Sequence, residues 1–217
     1  HLHPHKPVTM QIDVFSDVVC PWCYIGKRQL EAALKQAGIG DAQIHWRAYQ
    51  LNPDIPPAGL DRRRYLEEKF GGAEAVARIH ERVSAAGQGA GIGFQFDKIV
   101  RSPNTFDAHR LLRLAAAQEK QQDVAEALFH AYFIDGRDIG DHGVLIDLAT
   151  AVGLSGDLAA WLAGGSESDG VRQDLAAAAQ MGIGGVPFFV FANRYALSGA
   201  QPMEVFTQTL RAAAQAA

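Results

Sequence analysis

Phe15-Ser16-Asp17-Val18-Val19-Cys20-Pro21-Trp22-Cys23-Tyr24 holds both cysteines of a 217-residue chain. Two thiols three residues apart can close a small intramolecular disulfide, and where a strand feeds a helix this spacing reads as a redox pair. Upstream, Ile12 and Val14 alternate with Gln11 and Asp13 before Phe15, which predicts a strand over residues 10–16. Downstream, Cys23, Leu30, Leu34 and Ala37 recur at helical spacing, with small Gly26 and Ala33 beside them and Gly38 as the stop. Asp17 to Val19 make the turn, so the dithiol opens a helix.

A second alternation, over residues 42–49, puts Ile44, Trp46 and Ala48 on one face and Gln43, His45 and Arg47 on the other. Strand, helix, strand in this order favours a parallel pair in an α/β sheet. Asn52-Pro53-Asp54-Ile55-Pro56-Pro57 then interrupts regular structure, and residues 61–162 are mostly helical in pattern, with Ser102-Pro103 and Ser155-Gly156-Asp157 as helix starts. An Ala-rich helix over 168–181 leads to a strand over 186–191 with Pro187 at its start, where a missing donor is tolerated. Asn193-Arg194 turns the chain, Tyr195 to Ser198 return as a hairpin partner, and Pro202 opens a last helix. Both ends of the chain thus build one α/β domain from residues 10–57 and 165–217, split by a large all-helical insertion at 58–164. Residues 1–9, with alternate histidines His1, His3 and His5, are set aside as a leader or an added remnant.

A net charge of −4 gives no general reason to bind nucleic acid or an anionic membrane. No run approaches the roughly 18 apolar residues of a membrane span, so a soluble protein is expected. A cysteine pair without an export signal favours a reducing, cytoplasmic setting, where thiols are more often catalytic or metal-binding than structural. The basic run Arg62-Arg63-Arg64 is offset by Asp61, Glu67 and Glu68 and reads as a solvated helical face. Gly87, Gly89, Gly91 and Gly93 follow a helix and form neither GxGxxG nor a P-loop, which argues against a nucleotide site. Zinc would need two ligands beyond the cysteines, and His109, His130 and His142 form no partner motif.

The remaining reading is dithiol chemistry. A helix N-terminus offers unpaired N–H groups and partial positive charge, so Cys20 is expected to favour its thiolate and to attack. Cys23, one turn on, is placed to resolve the mixed disulfide. Pro21 fixes the helix start, and Trp22 offers an apolar surface beside the reactive sulfur. Asp17 reads first as a helix cap and second as a group tuning Cys20. Asn104 suits a ligand contact and a cap equally, and His109, among Ala108, Leu111 and Leu112, reads as a structural histidine.

The segment from Phe15-Ser16-Asp17 to Cys20-Pro21-Trp22-Cys23-Tyr24, together with Gly185-Val186-Pro187-Phe188-Phe189, resembles the DsbA-like thioredoxin-fold proteins, and among them the FrnE-like dithiol-disulfide isomerases related to 2-hydroxychromene-2-carboxylate isomerase. Trp46-Arg47, Leu51-Asn52-Pro53, Asn104-Thr105-Phe106-Asp107-Ala108-His109-Arg110 and Gly199-Ala200-Gln201 extend the likeness over nearly the whole chain from Met10. The resemblance implies a thioredoxin-like fold, a central mixed sheet flanked by helices. It also implies a cis bond between Val186 and Pro187 lying against the cysteines, with Val186 pairing with a bound peptide or glutathione. Pro-Trp replaces the Pro-His of strongly oxidising relatives, which implies a less oxidising pair. The function implied is thiol-disulfide exchange on a disulfide-containing protein or peptide, with glutathione as a possible co-substrate and no tightly bound cofactor or metal. Two alternatives keep the fold: glutathione-dependent isomerisation or transfer on a small molecule, with Val186, joined by Asn52 or Gln201, holding the tripeptide, and a peptide-binding chaperone module using the surface around Trp22 and Pro187. Neither nucleic acid nor membrane is an expected partner.

Overall fold

Every residue after the first in strand β1 (Gln11–Ser16) is buried, because the strand is central in its sheet and both faces are covered, Ile12 and Val14 within the main core and Phe15 against Ala178 and Ile183. A tight turn leads into helix α1 (Pro21–Gln36), and β2 (Gln43–Ala48) follows. The chain then runs through β3 (Leu60–Asp61), α2 (Arg62–Phe70), α3 (Ala73–Gly89), β4 (Arg101–Ser102), α4 (Phe106–Ala117), α5 (Gln121–Phe133), α6 (His142–Val152) and α7 (Leu158–Ala163). It returns by α8 (Ser168–Gln180) to β5 (Phe188–Phe191), β6 (Tyr195–Ser198) and α9 (Met203–Gln215). The computed structural model describes residues 9–216, so of the leader expected at 1–9 only Thr9 falls within it.

The main sheet has the order β2-β1-β5-β6. β1 and β2 are parallel, with Ile12 beside Ile44 and Val14 beside Trp46, as the strand-helix-strand order requires. β5 runs antiparallel to β1, Ile12 facing Phe191 and Phe15 facing Phe188, and β6 completes the hairpin. The thioredoxin-like architecture expected from the sequence is therefore present, a mixed sheet built from both ends of the chain and flanked by helices.

Side chains cover the outer edge of β2, which would otherwise leave backbone groups open to another strand. Gln121 at the start of α5 accepts from Trp46 N at 2.9 Å and donates to Trp46 O at 3.2 Å. Asp174 on α8 accepts from Ala48 N at 3.2 Å and pairs with Arg47 and Arg113.

The segment between β2 and α8 is helical apart from one short ladder, in which Leu60 and Asp61 pair with Ser102 and Arg101. That ladder moves the helix start expected at Ser102-Pro103 on to Phe106, since Ser102 is engaged in the strand. A single buried cluster runs through the sheet and the helical segment, including Ile12, Val14, Trp46, Phe129 and Phe189. Tyr24, immediately after Cys23, stacks on Phe129 of α5 with centroids 4.9 Å apart and planes at 7°. Phe129 also meets the edge of Trp46 at 6.0 Å. Burying three large aromatic rings together makes this contact a principal tie between α1 and the helical segment. Phe129→Ala is expected to cost about 3–5 kcal/mol, read as a lower denaturant midpoint, with Phe129→Leu costing less.

Candidate active site

Cys20 is the N-cap residue of α1 in extended conformation (φ −92°, ψ 112°), and Pro21 is the first helical residue, where its missing N–H costs nothing. The turn before it is closed by Cys20 N donating to Asp17 O at 3.0 Å, and the first helical turn by Cys23 N donating to Cys20 O at 3.1 Å. Both thiols are unbridged. Cys20 is 4% exposed and Cys23 1%, so Cys20 is nearer the surface and Cys23 lies beneath it.

The Val186–Pro187 peptide bond is cis. Cys20 Sγ donates to Val186 O at 3.7 Å, which brings the loop before β5 directly over the dithiol. Gly26, on α1 one turn beyond Cys23, makes the approach possible. A Cβ there would lie 3.1 Å from the Phe189 ring and 3.2 Å from Pro187 Cγ, so a side chain would press α1 away from this loop. Pro187 O accepts from Gly199 N at 2.8 Å, which fixes the turn after β6 beside it.

The two sulfurs differ electrostatically. Burial pushes the Cys23 thiol well up, and its hydrogen bond to Cys20 and the charge that Cys20 carries when ionised push further in the same direction. The Ser16 hydroxyl and the Asp17 backbone oppose this rise. The resting Cys23 is therefore a thiol, not an attacking thiolate.

Asp17 does not cap α1, contrary to the first sequence reading, since the helix start has no side-chain cap. Its carboxylate points inward, Oδ2 accepting from Leu51 N at 2.9 Å and Oδ1 sharing a 3.1 Å hydrogen bond with His109 Nε2. Asp17 and His109 are 1% and 2% exposed. Nothing in their spacing announces a pair joined across 92 positions.

The other expected site residues are distributed more widely. Trp22 is 37% exposed beside Cys20, and Val186 is half-buried over it. Asn52 lines a cavity that reaches Pro21, its Oδ1 accepting from Tyr65 OH at 2.7 Å and from Lys69 Nζ at 2.9 Å. Asn104 uses its amide within the fold, donating to Ile55 O at 2.7 Å and accepting from Phe106 N at 2.9 Å at the start of α4. Gln201 donates to Ser198 O at 2.8 Å in the turn after β6. The structure thus groups Cys20, Cys23, Trp22, Val186 and Pro187, with Asn52 on an adjoining cavity.

The DSBA-like thioredoxin domain matches residues 11–211. The chain belongs to that family. Membership places it among thiol-disulfide oxidoreductases of the DsbA kind. A probable DsbA oxidoreductase from Streptomyces coelicolor is 34% identical, with a TM-score of 0.86 over 94% of this chain and 89% of that one. The Bacillus subtilis protein YwbO is 27% identical over 205 residues, 94% of this chain and 96% of its own length. A 2-hydroxychromene-2-carboxylate isomerase shares the fold at 15% identity, with a TM-score of 0.69 over 95% of this chain and 97% of that one. These likenesses agree with the DsbA-like and FrnE-like resemblance read from the motifs. Among the described residues, no helix is long and apolar enough to cross a membrane, and no group of three or more His, Cys, Asp or Glu is placed to hold a metal ion.

Proposed function

We propose that this member of the DSBA-like family exchanges disulfides through Cys20 as nucleophile and Cys23 as resolving thiol. The observation that carries the reading is the arrangement at the head of α1, with the outer sulfur of Cys20 facing Val186 O at 3.7 Å and Cys23 buried one turn below. Cys20 thiolate attacks one sulfur of a substrate disulfide, the substrate S–S bond breaks, and one substrate thiolate leaves. Cys23, losing its proton, then attacks the Cys20 sulfur and expels the second thiolate. The substrate gains two electrons, and the protein is left with a Cys20–Cys23 disulfide that external thiols reduce.

The half-buried Val186 beside Cys20 supports substrate pairing through its backbone, and the exposed Trp22 supplies an apolar flank. Disulfide-containing proteins or peptides are the proposed partners, with glutathione as co-substrate and no tightly bound cofactor. The working compartment in this reading is a reducing cytoplasm. Insulin reduction by dithiothreitol should accelerate with the protein and fall to the uncatalysed rate with Cys20→Ser. Equal acceleration by that variant sinks the assignment.

A further inference from the structure

Beside the dithiol, the space between α1, the Leu51–Ile55 segment and helices α2 and α3 forms a cavity of about 160 Å³. Val19 and Pro21 line it at the head of α1, and Arg62, His80, Phe96 and Tyr132 line it elsewhere. Its walls are largely apolar. A cavity of about 150 Å³ holds a benzene ring, so one ring or an equivalent alkyl body fits here.

Arg62 is the anomaly in this cavity. The sequence presents it as one of three solvated arginines, but the structure separates them. Arg63 and Arg64 are exposed and paired with Glu67 and Glu68 at 3.3 Å each. Arg62 is 9% exposed. Its backbone N donates to Val100 O at 2.9 Å, extending the β3–β4 ladder by one bond and turning the side chain inward. Its guanidinium donates to Tyr132 OH at 2.7 Å, meets His80 Nε2 at 3.4 Å, and lies over the rings of Phe96 and Tyr132 at 5.8 and 5.7 Å.

No carboxylate among the described residues lies within ion-pair distance of it, and no aspartate or glutamate lines the cavity, although Lys69 stands at its exposed side. Burial and the charge of Arg62 both lower the pKa of His80, opposed by Asp97, and so favour its neutral form; an imidazole in either form brings no negative charge to Arg62. A buried guanidinium normally has an anionic partner, because its desolvation is otherwise uncompensated. Arg62 retains donors beyond the two used on Tyr132 and His80, in the planar fork that matches a carboxylate.

We propose that this cavity is a substrate subsite, in which Arg62 binds the carboxylate of a thiol or disulfide whose apolar body fills the space between Arg62 and Pro21. The subsite deepens the disulfide-exchange reading and rests on it for its kinetic consequences. Selection then operates on charge at one end of a small apolar substrate while its sulfur meets Cys20.

Two chromogenic disulfides test this with the reduced protein in single turnover: dithiobis(nitrobenzoate), which carries carboxylates, and neutral dithiodipyridine. Each reaction forms the Cys20–Cys23 disulfide and releases two aryl thiols, so no further oxidant is required. Arg62→Gln should lower the rate constant for the anionic disulfide roughly tenfold or more while leaving the neutral one nearly unchanged, the size expected for losing a charge-assisted hydrogen bond. Arg62→Lys should recover part of the preference. Equal losses with both disulfides, or an unchanged ratio, overturn the proposal.

A wild-type measurement removes dependence on the variants' folding. Millimolar phenylpropionate should slow the reaction with dithiobis(nitrobenzoate) and phenylpropionamide should not; equal effects of acid and amide count decisively against the subsite. If wild-type protein reacts with neither disulfide, the redox reading fails by itself. Calorimetric titration with phenylpropionate and its amide then decides the subsite separately, binding of the acid alone supporting it and equal or absent binding overturning it.

Discussion

Cys23→Ser should accumulate a mixed disulfide between Cys20 and the substrate, with a lifetime at least ~10²-fold longer than in the wild type, because release would require an external thiol in place of one held a helical turn away. The electrostatics of the pair explain why the wild-type step is ordered. Of the three causes that raise the Cys23 thiol, two come from Cys20: its hydrogen bond and its charge. Once the Cys20 sulfur is tied into a mixed disulfide it carries no charge, and both contributions fall away. Burial remains, opposed by the Ser16 hydroxyl and the Asp17 backbone. The attack by Cys20 therefore makes Cys23 easier to deprotonate, and the second step follows the first. Mass spectrometry of acid-quenched samples checks this. A Cys23→Ser protein that clears its adduct as fast as the wild type would show that Cys23 is not the resolving group.

Asp17→Ala should destabilise the fold by roughly 2–4 kcal/mol, the cost of leaving buried hydrogen-bonding groups without partners. The substitution deprives Leu51 N and His109 Nε2 together, and it does so at the turn that presents Cys20. Asp17→Asn keeps the side-chain shape and one acceptor, so its loss should be smaller. Equilibrium denaturation of the three proteins gives the comparison. An Asp17→Ala midpoint equal to wild type would mean that Leu51 and His109 find other partners and that the buried pair does not hold this turn.

The residues at Cys20 to Cys23 and the alternation before them were enough to place a dithiol on a helix that follows a strand. The parallel pairing of β1 with β2 also followed, since a crossover of α1's length leaves few alternatives. Pro187 was different: its place over the cysteines came from resemblance, because no local pattern joins residues 166 positions apart, as Cys20 and Val186 are. Arg62 departs from its local pattern for a related reason. Local charge balance describes Arg63 and Arg64 well, but the interior position of Arg62 is set by a two-residue ladder with Arg101 and Ser102 and by the bond to Val100. Strands that short leave almost no periodic signal. Asp17 resembles a cap because a short acidic side chain just before a helix is ordinarily one, and only the fold brings His109 to it.

The central position of β1 has a consequence during synthesis. β1 and the cysteines emerge before β5, which is one neighbour of β1, and the loop that covers Cys20 immediately precedes β5. At ordinary elongation rates the 166 positions from Cys20 to Val186 take roughly 10–30 s to make. For that interval the nascent chain carries an uncovered thiol pair next to an open strand edge. The ribosome-bound intermediate is therefore exposed to stray disulfide formation and to strand pairing with other chains, hazards that the finished protein closes with a single hairpin.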